Sequence, residues 1–563
     1  AFDVVAGETP RLLQLGSGAK RFTFPLPEQA ELRAHPAVAG AGARLRVTLE
    51  LEGQAPQELW SAVVRGQGRE LTLPLPGSVG RLARLSLEAQ AAPGAAPVVG
   101  WGAPRLVGRG QIRPLLEPGP HAPADEARAE GLRRELARTR PNVLLVILDA
   151  ARARSLGAYG YARRTTPEVD RLAQEGVLFE QAYTPAVFTL SAMASAWTSR
   201  YPDEHHAGVA HDAPLPADRP TLAERLAAAG VGTVGLVGNS MAGPAFGLAR
   251  GFGAFEEVHL RKGNRAAAVS ASFTDWLARR PADQRFFAYV HFREPHFPYD
   301  PLPPWDTLFG PDGPLGHGPR SSPAWYGEVN EGQRAISKAE LAHFTRLYDG
   351  NLAYVDAQVG ELRKALERRG LLEQTVVIVA SDHGESFYEH RWLGHNQQVF
   401  EESTHVPLVL RFPGGTARGT RVRGLVDLLD LAPTVAELLG LPQDGGSGQP
   451  FAGRSLLPMV FGAPGKPATV AITTGELRGH GLRHERFKYV RNVRWGTEQL
   501  YDLERDPLER ETVAAAHPVR VAYYRQELFR RVFRSLSAPA RAAGPAKLSP
   551  EQLENLRSLG YVN

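Results

Sequence analysis

Two hydrophobic patterns divide this chain. Up to about residue 112, apolar and polar positions alternate in short segments: RFTFPLP (21–27), RLRVTLELEG (44–53), RELTLPLP (69–76) and RLSLEAQ (84–90), parted by Gly, Pro and Ala. Alternation gives a strand one buried and one wet face. Short strands at regular spacing predict a β-sandwich over residues 1–112. From residue 141 the pattern changes to near-continuous apolar runs: NVLLVILD (142–149), VGTVGLVG (231–238), FFAYVHF (286–292), QTVVIVASD (374–382) and HVPLVLRF (405–412). Helical segments such as TTPEVDRLAQEG (165–176), TLAERLAAAG (221–230) and DGNLAYVDAQVGELRKALERRG (349–370) lie between them. Strands without polar alternation, interleaved with helices, predict an α/β domain over 141–465, with a mostly parallel sheet between helices.

Two stretches remain. Residues 113–140 are Pro-rich and then charged, which predicts a linker and a short surface helix that stops before Pro141. Residues 466–563 hold ATVAITTG, RFKYVRN and TEQLYDLERDPLE, which predict a small α+β subdomain, and a tail helix in LSPEQLENLRSLGYVN. At the front, VVGWGAPRLVG (98–108) reads as the closing strand of a jelly-roll-like, carbohydrate-binding-like module, and we expect its role to be structural.

Composition narrows the chemistry. The 563 residues contain no cysteine, so disulfides, thiolate nucleophiles and Cys-ligated metals are excluded. A formal charge of +5 is small for this length, and no basic stripe interleaved with aromatics marks a nucleic-acid partner. No apolar run is long enough to span a membrane. The chain opens on Ala1, from which we expect a removed leader and export to a periplasm or cell surface.

Ligands of parallel sheets gather at the carboxyl ends of the strands. That rule selects Asp149, the stretch His291 to His296, and Asp382-His383. Two acids and an imidazole at one sheet edge can hold a divalent cation. Nearby in sequence runs FTLSAMASAWTSRYP (188–202), rich in hydroxyls. Thr189 opens its helical part, where it is either a helix-capping residue or a hydroxyl activated by free N–H groups and a neighbouring cation. Ser191 and Ser195 read as packing or capping residues, and His205, His206, His211, His390 and His405 as surface or supporting groups. Arg152 suits a substrate contact or a salt bridge equally, and Asn239 is a weaker pocket candidate.

The motifs resemble, in order over roughly 140–562, the sulfatase family of the alkaline phosphatase superfamily. They are RPNVLLVILDAARARSLGAYGY, TTPEVDRLAQEGVLFEQAY, FTLSAMASAWTSRYP, HFREPHFPYDP, SDHGES, LGHNQQVFEESTHVPLVLRFPG, DLLDLAPTVAELLGLP and the closing LRSLGY. The resemblance implies that Asp149 is the first metal-binding acid and that Asp382 and His383 are the later metal pair. It implies that His296 reaches the substrate's oxyanion or leaving group, and that His395 is a further active-site histidine. In that family a reactive Cys or Ser opens the run C/S-x-P-S-R-A-S-x-x-T-G and is oxidised to formylglycine. Alignment on Ala194-Ser195 and Thr198 puts Thr189 at that position.

Threonine carries a methyl on its β carbon and cannot give that aldehyde, so no formylglycine is expected. The pattern is that of the phosphodiesterase, nucleotide pyrophosphatase and phosphoethanolamine transferase branches, with an unmodified Thr that also contacts the metal. Ala150 stands where the family has a second acid, Met193 where it has Arg, Ser199 where it has a common Gly, and Asn396 near a sulfate-binding Lys. The expectation is a metal-dependent hydrolase or transferase of phosphate esters, with Zn or Mn favoured because of His383 and Ca as a further candidate. Its substrate would be a phosphate or sulfate ester, on a glycan or lipid headgroup among others. The alternatives are a sulfuric ester hydrolase without formylglycine and a catalytically inactive binding protein.

Overall fold

The structure is a computed structural model. It describes residues 12–15, 18–91, 98–109, 130–131, 134–136, 138–208, 213–262, 265–310, 323–442, 449–463, 468–472, 479–492, 496–536, 546–559 and 561. They fall into two compact units: one draws on the chain up to Glu117 with 498–502 and 510–533, and the other on the remainder.

The first unit does not clearly form the sandwich expected. Its described strands form one seven-stranded antiparallel sheet. Its organiser is a single 24-residue strand, Glu28–Leu51, which pairs with Val98–Arg109 and Leu71–Pro74 in its first half and with Leu82–Ala91 in its second. A register shift between Val38 and Ala43, with Gly42 at φ 95°, lets it bend without breaking. One strand thus bonds both halves, and the inward residues Leu32, Leu45, Val47, Leu85, Leu87 and Trp101 form a single core. The helix Pro518–Leu536, expected in the C-terminal subdomain, belongs mainly to this unit: Arg520 clamps Glu52, and Gln526 Nε2 donates to Thr23 O at 3.1 Å.

The second unit is built on eight strands: β1 (Asn142–Leu148), β2 (Val177–Phe179), β3 (Gly232–Val237), β4 (Ala254–Glu257), β5 (Phe286–Phe292), β6 (Thr375–Ala380), β7 (Leu408–Arg411) and β8 (Thr420–Val422). They are ordered β4-β3-β5-β1-β6-β7-β2-β8. The run from β4 to β6 is parallel, but β7 is antiparallel to both β6 and β2, so the sheet is mixed. Both faces are covered. Val143, Leu145 and Ile147 of β1 enter one core, while Leu144, Val146 and Leu148 enter the other. That is why β1 reads as an unbroken apolar run.

Five helices matter below: α1 (Pro167–Glu175), α2 (Thr189–Thr198), α3 (Ala266–Arg279), α4 (Lys338–Arg368) and α5 (Pro550–Ser558). α4 starts at a capping box in which Ser337 Oγ accepts from Glu340 N and the Glu340 carboxylate accepts from Ser337 N. From its buried face Asp356 accepts the backbone N–H groups of Glu168 and Val169, capping the first turn of α1. α3 packs against α4. The expected linker lies outside the described residues as far as 129, and Leu136 of the helical stretch after it is buried. In the expected C-terminal subdomain, Ala468–Ile472, Gly479–His484 and Phe487–Asn492 form an antiparallel meander. Among the described residues no helix is long and apolar enough to cross a membrane.

Candidate active site and metal centre

Parallel strands bring their carboxyl ends to one edge, and there the chemistry collects. Asp149 follows β1, and its backbone N–H donates to Phe292 O at the end of β5 at 3.2 Å. Ser381, Asp382 and His383 follow β6, His296 lies in the loop after β5, and Asn239 follows β3. Asp149, Thr189, Asp382, His383, His291 and His296 are all wholly buried.

Each carboxylate is held by one oxygen and left open at the other. Asp149 Oδ2 accepts from Asn239 Nδ2 at 2.7 Å and meets His291 Nε2 at 3.2 Å. The Tyr289 hydroxyl, 2.6 Å from His291 Nδ1, donates to that nitrogen and leaves Nε2–H for the acid. Asp382 Oδ1 accepts from the N–H groups of His383 at 2.9 Å and Ala150 at 3.2 Å. Asp149 Oδ1 and Asp382 Oδ2, in contrast, are buried with no hydrogen-bond partner. His383 Nδ1 donates to Gly384 O at 3.0 Å, which aims Nε2 at Asp149 Oδ1 (3.8 Å) and Asp382 Oδ2 (3.5 Å). The candidate ligand atoms of Asp149, Asp382 and His383 all lie within 4.8 Å of one another.

Two orphaned carboxylate oxygens and one imidazole nitrogen converging in a dry site fit a divalent cation. The electrostatics agree. Burial pushes Asp149 up, but His296, His291 and His383 pull it far below the usual carboxylate range. Burial pushes His383 down, yet Asp382 and Asp149 hold it above its ordinary value. The carboxylates therefore draw positive charge to the place where a cation fits. Gly384 serves a close approach: a Cβ there would stand 2.1 Å from Glu402 O.

Thr189 is the first residue of α2, and Phe188 occupies the capping position before it. Its hydroxyl is used across the site, 3.2 Å from His383 Nε2 and 3.2 Å from Tyr561 Oη. Ser191 Oγ donates to Ala207 O at 2.8 Å and Ser195 Oγ meets His205 Nε2 at 2.9 Å, in line with packing roles. His205 takes the supporting role rather than the surface one: it is wholly buried, and burial pushes it down to about 3. His390 and His405 are also tied down, His390 to Glu402 and His405 to Glu180 O. His211 lies outside the described residues.

His296 and His395 both reach the site. His296 Nδ1 donates to Phe297 O, so Nε2 is its site-facing atom, and burial pushes the ring down to about 4. His395 Nδ1 lies 2.9 Å from Glu385 Oε1, and its ring is 4.2 Å from that of His383 and 4.8 Å from that of His296. Arg152 takes the salt-bridge role, with Nη1 2.8 Å from Glu389 Oε1. Ala150, at φ 61°, puts no carboxylate beside Asp149, and its C=O accepts from Tyr348 Oη at 2.9 Å. Sequence reasoning reached His291 only as a strand-end residue, weighed Asn239 lightly and gave Tyr561 no role. Tyr561 entered only as the end of the LRSLGY motif, and its contact with Thr189 depends on its position in space.

Comparison with known proteins places the chain in a family. The Sulfatase family profile matches residues 141–441, and the profile for the C-terminal part of N-sulphoglucosamine sulphohydrolase matches 388–530. The chain is 25% identical over 428 residues to the Delta 4,5-hexuronate-2-O-sulfatase of Bacteroides thetaiotaomicron, covering 67% of this chain and 85% of that protein. It is 29% identical over 294 residues to arylsulfatase K of Danio rerio, covering 44% of this chain and only 53% of that relative. In fold it is similar to the phosphonate monoester hydrolase of Agrobacterium radiobacter, with a TM-score of 0.57 and 24% identity over 70% of this chain and 95% of that one. With a family match over more than half its length, laid on a sheet edge that gathers two acids, three imidazoles and a threonine, the chain belongs to the sulfatase family of the alkaline phosphatase superfamily, a family of ester hydrolases.

Proposed function

We propose that this chain hydrolyses phosphate esters with Thr189 as an unmodified nucleophile, and that Asp149, Asp382 and His383 hold a divalent cation beside it. The observation that carries this reading is the position of Thr189 Oγ1, 3.2 Å from the His383 nitrogen that points at two orphaned carboxylate oxygens. When bound, Zn or Mn (or Ca) neutralises charge on the ester and lowers the pKa of a hydroxyl beside it. The Thr189 proton passes to His296 Nε2, which is free to take it because Nδ1 carries the ring hydrogen, as Oγ1 attacks phosphorus in line and the bond to the leaving oxygen breaks. His296 Nε2 gives that oxygen its proton. Water then attacks the phosphothreonine, its proton passes to His296 Nε2, and the bond to Thr189 Oγ1 breaks as that oxygen takes the proton back from His296. Asn239 and His291 keep Asp149 aimed throughout, and His395, set by Glu385, flanks His296.

A second reading is sulfate-ester hydrolysis without formylglycine, on a glycan. It is favoured by the relatives, whose names are those of sulfatases, one of them acting on a hexuronate. A matched aryl-ester panel separates the two: phosphate monoester, phosphate diester, phosphonate and sulfate, offered to the metal-loaded protein and to Thr189→Ala. We expect phosphoester turnover that disappears in the variant. Faster sulfate turnover, or indifference to Thr189, overturns the first reading. An inert protein that retains no metal points to a binding role.

A further inference from the structure

We propose that Tyr561 is a plug in this site, and that its hydroxyl must withdraw before an ester reaches Thr189. The proposal rests on reading Thr189 as the nucleophile. Tyr561 lies beyond α5, 372 residues from Thr189 in sequence. Its Oη is 3.2 Å from Thr189 Oγ1, 2.8 Å from His296 Nε2 and 3.5 Å from Asn239 Nδ2. Those three atoms belong to the nucleophile, the imidazole that handles the leaving group's proton, and the amide that aims Asp149. A reacting phosphorus or sulfur has to stand about 3–3.5 Å from the nucleophile before attack. The phenol oxygen occupies that shell. Its contacts with Thr189 and Asn239 are ones that a substrate oxygen would make.

The rest of the segment explains how the plug is held. Ser549 and Gln552 form a capping box that starts α5, and Gln552 Nε2 donates to Glu257 Oε2 at 2.8 Å. Leu556 and Leu559 are buried in the core that lies under α2. The Tyr561 N–H donates to Leu556 O at 2.9 Å, and its ring packs edge-on against Phe188, with centroids 5.6 Å apart. Burial pushes the phenol well above its usual value, so it competes as a neutral alcohol. The Asn239 amide and the Thr189 hydroxyl can donate to an ester oxygen in place of Oη, while the hydrogen bond that Oη gives to His296 Nε2 breaks on withdrawal.

The test uses the metal-loaded full chain, as wild type, Tyr561→Phe and Tyr561→Ala. Inorganic phosphate and inorganic sulfate are the titrants in calorimetry, and 4-nitrophenyl phosphate and 4-nitrophenyl sulfate are the substrates. If the plug leaves about a tenth of the molecules open, its removal tightens anion binding about tenfold. We therefore expect a dissociation constant about tenfold lower in Tyr561→Ala, and a fall in KM of similar size without loss of kcat. Tyr561→Phe keeps the ring on Phe188 and loses the hydrogen bonds, so it should move the same way and guards against a folding defect. Anion affinity that is unchanged, weaker or absent in both variants overturns the plug. A fall in kcat at constant KM also overturns it and makes Tyr561 a working part of the site. If no ester is turned over by any form, the proposed function fails, while the anion titration still decides the plug.

Discussion

Lys488 and Asp149 both lie buried among acids and imidazoles, in the same unit, but the charge around them is arranged differently. Lys488 Nζ sits 2.8 Å from Glu401 Oε1, 2.8 Å from Thr404 Oγ1 and 3.6 Å from Glu509 Oε1. Glu401 Oε2 takes the Tyr183 hydroxyl at 2.9 Å, and His390 bridges Glu402 and Glu509 O at 2.7 and 2.9 Å. That cluster contains its own cation. Around Asp149 and Asp382, among the described residues, no lysine or arginine forms an ion pair with either acid, and only imidazoles approach. Their open oxygens face one another across an uncompensated space. A buried carboxylate is tolerated only when positive charge and hydrogen bonds replace the water it lost. The first cluster supplies that charge from the chain and is structural. The second leaves two oxygens orphaned, which suits it to a cation taken from solution.

The sharpest way to break the contrast is Asp382→Asn. It should cut turnover by on the order of a thousandfold, the scale of several kcal/mol of charge stabilisation, and leave less than stoichiometric metal by elemental analysis. Metal-free, the variant should be no less stable to urea than metal-free wild type, because it removes an orphaned charge. Full metal and full turnover would sink the assignment. Lys488→Met tests the other half. Glu401 and Glu509 would be left without their cation, at a cost of about 3–5 kcal/mol in urea unfolding, with metal content unchanged. A loss below about 1 kcal/mol would mean that the cluster behaves like an exposed pair.

Smaller effects refine the picture. Asn239→Ala removes a donor from Asp149 Oδ2 and should weaken metal binding about 10- to 100-fold in chelator competition, with little change in fold stability. Unaltered affinity would show that the amide does not orient the acid. His390 gives the weakest signal. Burial pushes it down, but Glu402 holds it above its ordinary value. A raised folded value means that its contribution is complete below about 6.5 and is lost as pH rises through the folded pKa. The urea midpoint of wild type should therefore decline over that range more than that of His390→Phe. Parallel declines would remove His390 from the charge balance.

Legibility followed locality. β1, β3, β5 and β6 were readable because burial on both faces leaves continuous apolar runs, and Asp149, Asp382 and His383 were readable as what comes next. Thr189 was picked out by matching its segment to the family's motif. The direction of β7 left no trace, since an antiparallel strand buried on both faces has the same apolar run as a parallel one. The front sheet was less legible for a related reason. Alternation reports that a strand has one buried face, but not whether that face looks across to a second sheet or into the curl of its own. For His205 the sequence left surface and supporting roles open, and its burial against Ser195 selects the supporting one.

By itself, then, the sequence pointed to the family through motifs met in order, to the α/β core through periodicity, and to side chains able to hold a cation through their places at strand ends. The tertiary structure alone decided which carboxylate oxygens stay open, that His291 and Asn239 aim Asp149, and that Tyr561 stands against Thr189. Those relations join residues from different elements, 90, 142 and 372 positions apart. They are set by how helices and strands pack, and packing at that range has no period along the chain.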